Sequence, residues 1–232
     1  MYRNKKILAI VPARAGSIRL KNKNFLELDG KPLIQHTIDK LLKIKIIDRI
    51  IITSDKKNIS KFVKKNKKVI FEPRSKKLSS SKSPVFNTIF DIVKRNPKFS
   101  IVSYFLPTNP LLPIIDIIKG YKRLRNFNSV ISIIEYEDPI EISLRYEKIN
   151  KKIRPIFKNL LNNKTNSRYL TKSYRPTGCF YISYRKEILK NKSFFSKNKC
   201  SGVLYSKPKE YVDINSRSDF EYAKYILRSK KI

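Results

Sequence analysis

The chain has 232 residues and a formal net charge of +35, from 53 Lys and Arg against 18 Asp and Glu. That length carries one α/β domain with a full core and leaves room for a small appendage. No apolar run is long enough to span a bilayer, and Cys179 and Cys200 are too few for a disulfide framework and lack metal-type spacing. A reduced cytoplasmic protein without a membrane partner is the natural reading. The basic residues are spread along the chain and not gathered in a tail, which favours solvated surface over binding of nucleic acid or another polyanion.

Residues 7–11 (Ile-Leu-Ala-Ile-Val) form a short continuous apolar run ended by Pro12. This is the pattern of a parallel strand covered on both faces. Arg3, Lys5 and Lys6 precede it, but the break at Pro12 and Arg14 makes it a first strand and not a signal peptide. The loop that follows offers Arg14, Gly16, Ser17, Arg19, Lys21 and Lys23. A glycine-bearing turn at the carboxyl end of such a strand is where α/β sheets bind phosphorylated ligands. Backbone N–H groups cradle the phosphate oxygens while Arg and Lys neutralise them. A solvated basic loop is the alternative that composition leaves open.

Leu33, Ile34, Ile38, Leu41 and Leu42 fall at helical spacing. His36, the chain's one histidine, reads as a packing or helix-surface residue, with no metal or triad partner nearby in sequence. Residues 49–54 form a second buried strand, closed by Asp55 as contact to ligand or, preferably, as cap of the next helix. Residues 57–68 read as a charged surface helix and residues 69–71 as a third strand. Val85, Ile89, Ile92 and Val93 mark a further amphipathic helix; a strand over 101–105, a helix over 114–124 and a strand over 129–134 follow. Strand–helix alternation of this kind predicts a parallel α/β sheet.

The alternation lapses from Glu135 to Tyr174, a Lys-, Asn- and Arg-rich stretch broken by Pro139 and Pro155. A functional loop and a surface insertion are both open there. Residues 181–183 and 203–205 read as short strands, and Ser216 with Asp219 resembles a capping box opening a helix over 217–227.

Pro12, Ala13, Arg14, Gly16, Ser17, Lys23 and Asn24, followed by Gly30-Lys31-Pro32, resemble the opening of the sugar-acid cytidylyltransferases. These enzymes make CMP-sialic acid and its legionaminate, pseudaminate and Kdo relatives. Matching elements continue in the family's order: Thr53-Ser54-Asp55; Arg74, Leu78 and Ser80; Pro107, Thr108, Pro110 and Leu111; Arg168, Tyr174, Arg175, Gly178 and Tyr181; then Asp213. The chain departs from the pattern at Ile18, Ser81, Leu106, Leu112, Thr177, Cys179 and Asn215.

The resemblance implies a Rossmann-like three-layer α/β/α nucleotidyltransferase domain over residues 1–232, with about 135–174 as a dimerisation arm and a homodimer as the assembly. It implies CTP and a sialic-acid-like nonulosonic acid as substrates, with CMP-sugar and pyrophosphate as products for surface polysaccharide or glycan synthesis. Arg14, Gly16, Ser17, Lys23, Asn24, Arg74 and Ser80 fall to the nucleotide. Arg168, Arg175, Thr177 and Tyr181 fall to the sugar acid, whose carboxylate suits a bidentate guanidinium. Asp213 and Asn215 fall to Mg2+, and Arg14, Lys23 and Asp213 to catalysis. At 215 an amide offers a carbonyl oxygen but no charge, which weakens a Mg2+ site. A Kdo-type or diverged cytidylyltransferase is the rival within the class; a non-catalytic polyanion-binding protein is the rival outside it.

Overall fold

The computed structural model describes residues 4–14, 16, 17, 19–55, 59, 65–80, 83–166 and 170–230. Arg168, Ile18, Ser81 and most of the helix expected over 57–68 lie outside the described residues. The chain divides into two compact units, Ile133–Pro176 and the remainder.

The larger unit grows outward from β1 (Ile7–Pro12), all six residues of which are buried. β1 pairs in parallel with β4 (Arg49–Ser54) on one side and β6 (Ile101–Phe105) on the other, and β4 pairs in parallel with β5 (Val69–Pro73). Strand β10 (Tyr174–Tyr184) runs antiparallel to β6. With β7 (Ser129–Glu135) and β11 (Cys200–Leu204) the sheet order is β11-β7-β10-β6-β1-β4-β5.

The two-residue period of a strand separates the core into two faces. Ile7, Ala9 and Val11 of β1, with Ile50 and Ile52 of β4, pack against α1 (Leu33–Leu42) and α4 (Ile114–Arg123). Leu8, Ile10, Ile51, Val102 and Tyr104 face the other way, onto α3 (Val85–Arg95) and α5 (Arg185–Asn191). Three layers result, as the resemblance implies. The approach of α4 to the sheet depends on Gly120. A Cβ there would stand 2.8 Å from Ile182 Cδ1 and 2.9 Å from Phe180 Cε2.

Among the elements that exceed the sequence reading are β10 and α5. β10 is 11 residues long and starts at Tyr174, not Tyr181. Pro176 and Gly178 disguise it, yet Pro176 lies ahead of the ladder with β6, which begins at Phe180. α5 follows β10 without a loop, and its first residue, Arg185, donates from Nε to the Val93 carbonyl at 3.1 Å, satisfying the carboxyl end of α3.

β2 (Glu27–Leu28) and β3 (Lys31–Pro32) form a small hairpin whose Asp29-Gly30 turn has φ of 52° and 72° at its two residues. Positive φ at both positions is what selects Asp-Gly for such a turn. His36 donates from Nε2 to the Leu28 carbonyl at 2.7 Å, so it braces this hairpin. Helix α6 (Arg217–Ser229) opens with the expected capping box of Ser216 and Asp219 and buries Phe220, Ala223 and Ile226 against Leu28 and Leu33. Short α2 (Lys76–Ser79) completes the α-helices among the described residues. No described helix is long and apolar enough to cross a membrane.

The smaller unit holds an antiparallel hairpin of β8 (Leu144–Glu147) and β9 (Lys152–Pro155). Its register puts Leu144, Tyr146, Ile153 and Pro155 on one face and Arg145, Glu147, Lys152 and Arg154 on the other. The apolar face is open: Leu144, Tyr146 and Ile153 are 48%, 57% and 62% exposed.

Candidate active site

The site lies at the carboxyl end of the parallel strands. The Ala13 amide donates to the Thr53 carbonyl at 2.9 Å, extending the β1–β4 ladder by one residue before the chain leaves the sheet at Arg14. Asn24, buried, donates from Nδ2 to the Arg14 carbonyl at 2.8 Å. Its neighbour Phe25 is anchored in the core, in a single 3-10 turn over Lys23–Phe25. The basic loop is thus tied at both ends, and Asn24 is a brace of that loop. Arg14 Nη1 reaches the Ser80 carbonyl at 3.4 Å, while Gly16 is exposed with open space above it and Ser17 is half-buried.

Arg74 is placed by its own backbone, whose amide donates to the Ser54 carbonyl at 2.9 Å. Its Nε is buried without a hydrogen-bond partner among the described residues. Burial first, and the nearby Arg14 second, pull the Arg74 guanidinium below its ordinary pKa, against the pull of Asp55. Two guanidinium groups converging at strand ends favour an anionic ligand between them.

The opposite wall is an extended segment leading into α6. Val212 and Ile214 are buried, and the Ile214 amide donates to the Thr108 carbonyl at 2.9 Å. That alternation turns Asp213 and Asn215 away from the core. Asp219 Oδ2 accepts from the amides of Asn215 and Ser216, each at 2.8 Å. Burial pushes the Asp219 carboxyl up, but these amides and the Ser216 hydroxyl outweigh it and hold it below its usual value.

Asn215 joins the two walls across 192 residues of sequence. Its Oδ1 accepts from Lys23 Nζ at 3.0 Å and from Arg19 Nη2 at 3.2 Å, and its Nδ2 donates to Asp213 Oδ2 at 2.8 Å. Burial pulls the Lys23 ammonium below its ordinary pKa and Asp213 opposes the shift. The structure therefore brings together Arg14, Lys23, Asn24, Asp213 and Asn215, with Ser80 and Arg74 beside Arg14. Arg19, one of the cations the loop offers in sequence, belongs to this network too.

Asn215 does not offer the free carbonyl expected of a metal ligand, because Lys23 and Arg19 already hold it. Among the described residues no group of three or more His, Cys, Asp and Glu side chains gathers as a metal site. Asp213 nevertheless fits a magnesium ion: its Oδ1 is buried without a hydrogen-bond partner among the described residues. One carboxylate with substrate phosphates and waters is a usual Mg2+ seat.

On the sugar side the expected residues separate. Thr177 is buried, and its hydroxyl is engaged with the Ser132 hydroxyl and carbonyl and with the Cys179 amide, so it braces β10 and is not free for a ligand. Tyr181 stacks on Tyr104 with ring centroids 4.6 Å apart, and meets Phe194 and Phe195 edge-on. Phe195 is 47% exposed, and Leu106 packs on the same cluster. These aromatics come from three separate segments, and no local signal in the sequence unites them. Arg175 belongs to the smaller unit. Leu112 is a core residue packed with α4, which accounts for its apolar character.

A family model for cytidylyltransferases matches residues 8–226. The chain belongs to the cytidylyltransferase family. It is therefore a nucleotidyltransferase by family, which sets the polyanion-binding reading aside. The pseudaminic acid cytidylyltransferase of Campylobacter jejuni serotype O:23/36 is 30% identical over 96% of this chain and 97% of its own length. The CMP-N,N'-diacetyllegionaminic acid synthase of Legionella pneumophila is 28% identical over 96% of each. The N-acylneuraminate cytidylyltransferase of Escherichia coli O18:K1:H7 is 28% identical over 97% of this chain, which spans about half (53%) of that longer protein. The fold is shared with 4-diphosphocytidyl-2C-methyl-D-erythritol synthase of Anaerococcus prevotii, at a TM-score of 0.70, 18% identity and 98% coverage of both chains. It is likewise shared with CMP:2-keto-3-deoxy-manno-octonic acid synthetase, solved with CTP, at a TM-score of 0.69 and 14% identity over 97% of this cytidylyltransferase and 99% of that chain.

Proposed function

We propose that this cytidylyltransferase transfers CMP from CTP to a nonulosonic acid. The anomeric hydroxyl oxygen attacks the α-phosphorus, the bond to the β-phosphate oxygen breaks, pyrophosphate leaves, and the hydroxyl proton passes to solvent. Two relatives whose length this chain spans almost entirely are named for pseudaminic and legionaminic acids, and they support the expected substrate class. The observation that carries the reading is the network of Arg19, Lys23, Asn215 and Asp213, with Arg14 close enough to act electrostatically on both Lys23 and Arg74, at the carboxyl end of the sheet.

In such a reaction the protein positions the reactants and neutralises charge. Arg14 and Lys23 would hold the triphosphate, Gly16 and Ser17 would approach it through the loop, and Asn24, Arg74 and Ser80 would shape the nucleoside side. Asp213 would hold Mg2+, which when bound polarises the phosphates and lowers the pKa of the attacking hydroxyl. Tyr181, with Phe194, Phe195 and Leu106, offers an apolar wall suited to the acyl or deoxy groups of a nonulosonic acid. Arg168 and Arg175 would take the sugar carboxylate. A second copy would cover the open apolar face of the β8–β9 hairpin and make the enzyme a homodimer. The test is pyrophosphate release from CTP with Mg2+ across sialic, legionaminic and pseudaminic acids and Kdo. Turnover is expected with one of the first three; turnover with Kdo alone would replace the substrate class, and none with any would remove the activity.

A further inference from the structure

The Asn215 side chain has both polar atoms committed. Oδ1 faces two cations, Lys23 and Arg19, and Nδ2 faces the Asp213 carboxylate and, at 3.2 Å, the Asp213 carbonyl. The neighbours dictate this orientation. Turned over, the NH2 group would meet two donors and the carbonyl would meet a carboxylate. An aspartate here would still accept from Lys23 but would set oxygen against oxygen at Asp213. An alanine would release both sides. Only an amide ties a carboxylate to two cations without adding charge.

The consequence falls on Asp213. With Oδ2 held by the amide at 2.8 Å, the carboxylate has one oxygen left, and that oxygen is the buried Oδ1, which has no hydrogen-bond partner among the described residues. We propose that Asn215 is a positioning residue and not a metal ligand: it turns Asp213 so that Oδ1 alone meets a divalent cation, and it anchors Lys23 and Arg19 beside that cation. The proposal rests on the nucleotidyl-transfer reading for the identity of the cation and its nucleotide. A seat with one protein carboxylate takes its remaining ligands from water and phosphate. Cation and triphosphate therefore bind cooperatively.

The segment does not need the Asn215 side chain for its own shape. The amides of residues 215 and 216 are held by Asp219, and the Ile214 amide by the Thr108 carbonyl. Asn215→Ala is therefore expected to fold with an unchanged melting temperature, which separates positioning from stability.

Two measurements test the proposal, with Mn2+ as the probe for Mg2+. The first is the anomalous signal of Mn2+ in crystals of the full chain grown with CTP. The expected peak lies about 2.1 Å from Asp213 Oδ1 with Asn215 Oδ1 outside the coordination sphere. A peak bonded to Asn215 Oδ1 overturns the proposal. The second is Mn2+ titration by electron paramagnetic resonance, with and without CTP. Asn215→Ala is expected to bind Mn2+ about tenfold more weakly, the size typical of losing a residue that orients a ligand, while Asp213→Ala loses saturable binding. Wild-type Mn2+ affinity in Asn215→Ala overturns it as well. If CTP does not bind at all, the nucleotide reading fails, and the titration without CTP still decides the role of Asn215.

Discussion

At the scale of single residues, the site combines a few obligatory charges with neighbours that only hold them. Lys23 and Asp213 are of the first kind. Each is expected to lower pyrophosphate release by about a hundredfold or more on replacement by alanine, the size seen when a group stabilising developing charge is removed. Melting curves of both variants should overlay the wild type, and near-normal turnover in either would refute its role. Lys40 is of a different kind. It sits in α1, its ammonium donates to the Pro110 carbonyl, and burial pulls it down to about 8. Asp39 and Cys179 favour its charge, and Lys43 and Lys230 oppose it. A lysine whose folded pKa lies below its unfolded value of 10.5 costs stability while charged. In the window between those two values the unfolded chain binds more protons, so stability rises with pH there. Denaturation by urea should show wild type gaining on Lys40→Met between about pH 8 and pH 10; a constant gap would mean that Lys40 is not shifted.

At the scale of elements, close approach and capping decide what is tolerated. Gly120 lets α4 lie against Phe180 and Ile182, and Gly120→Ala forces those side chains apart at a cost of about 1–3 kcal/mol. Chemical denaturation measures this directly, and a neutral result would show that the sheet face yields. The capping box of α6 is worth about 1 kcal/mol through Ser216, the usual cost of replacing such a cap by alanine. Loss of Asp219 would do more than uncap the helix, because the same carboxylate holds the amide of Asn215 and with it the lip of the site. Asp219→Asn should therefore lower turnover as well as stability, whereas Ser216→Ala should chiefly lower stability.

At the scale of the molecule, the smaller unit is the part that asks for a partner. A two-stranded hairpin is marginal by itself, and this one leaves Leu144, Tyr146 and Ile153 open on one face. Under the homodimer reading, Tyr146→Asp with Ile153→Asp should convert a dimer into a monomer, measured by light scattering after size exclusion. A wild-type chain that runs as a monomer at micromolar concentration would remove that reading. The charge of +35 bears on the same scale. With the basic residues spread over the surface, it raises the encounter rate with a triphosphate and makes association sensitive to salt.

The parallel α/β sheet is legible in the strand–helix alternation of the sequence. Short continuous apolar runs at β1, β4 and β6, bounded by turn residues and separated by helical spacing, are the pattern of strands buried on both faces and joined by parallel crossovers. The sequence also determined the amino-terminal wall of the site, because Arg14 to Asn24 lie in one short loop, and it located the capping box, because that signal is local. It underread β10, where Pro176 and Gly178 interrupt the pattern although the ladder begins beyond them. The Asp29-Gly30 turn was legible as a hairpin signal and went unused. Only the tertiary structure decided what Asn215 and Thr177 do. An amide or a hydroxyl has no fixed partner in sequence, and its chemistry depends on whether cations 192 residues away, or a strand neighbour such as Ser132, claim its polar atoms first. The aromatic wall of Tyr104, Tyr181, Phe194 and Phe195 is likewise a product of packing, since pairing of β6 with β10 brings Tyr104 beside Tyr181 and the segment after α5 lays Phe194 and Phe195 against them.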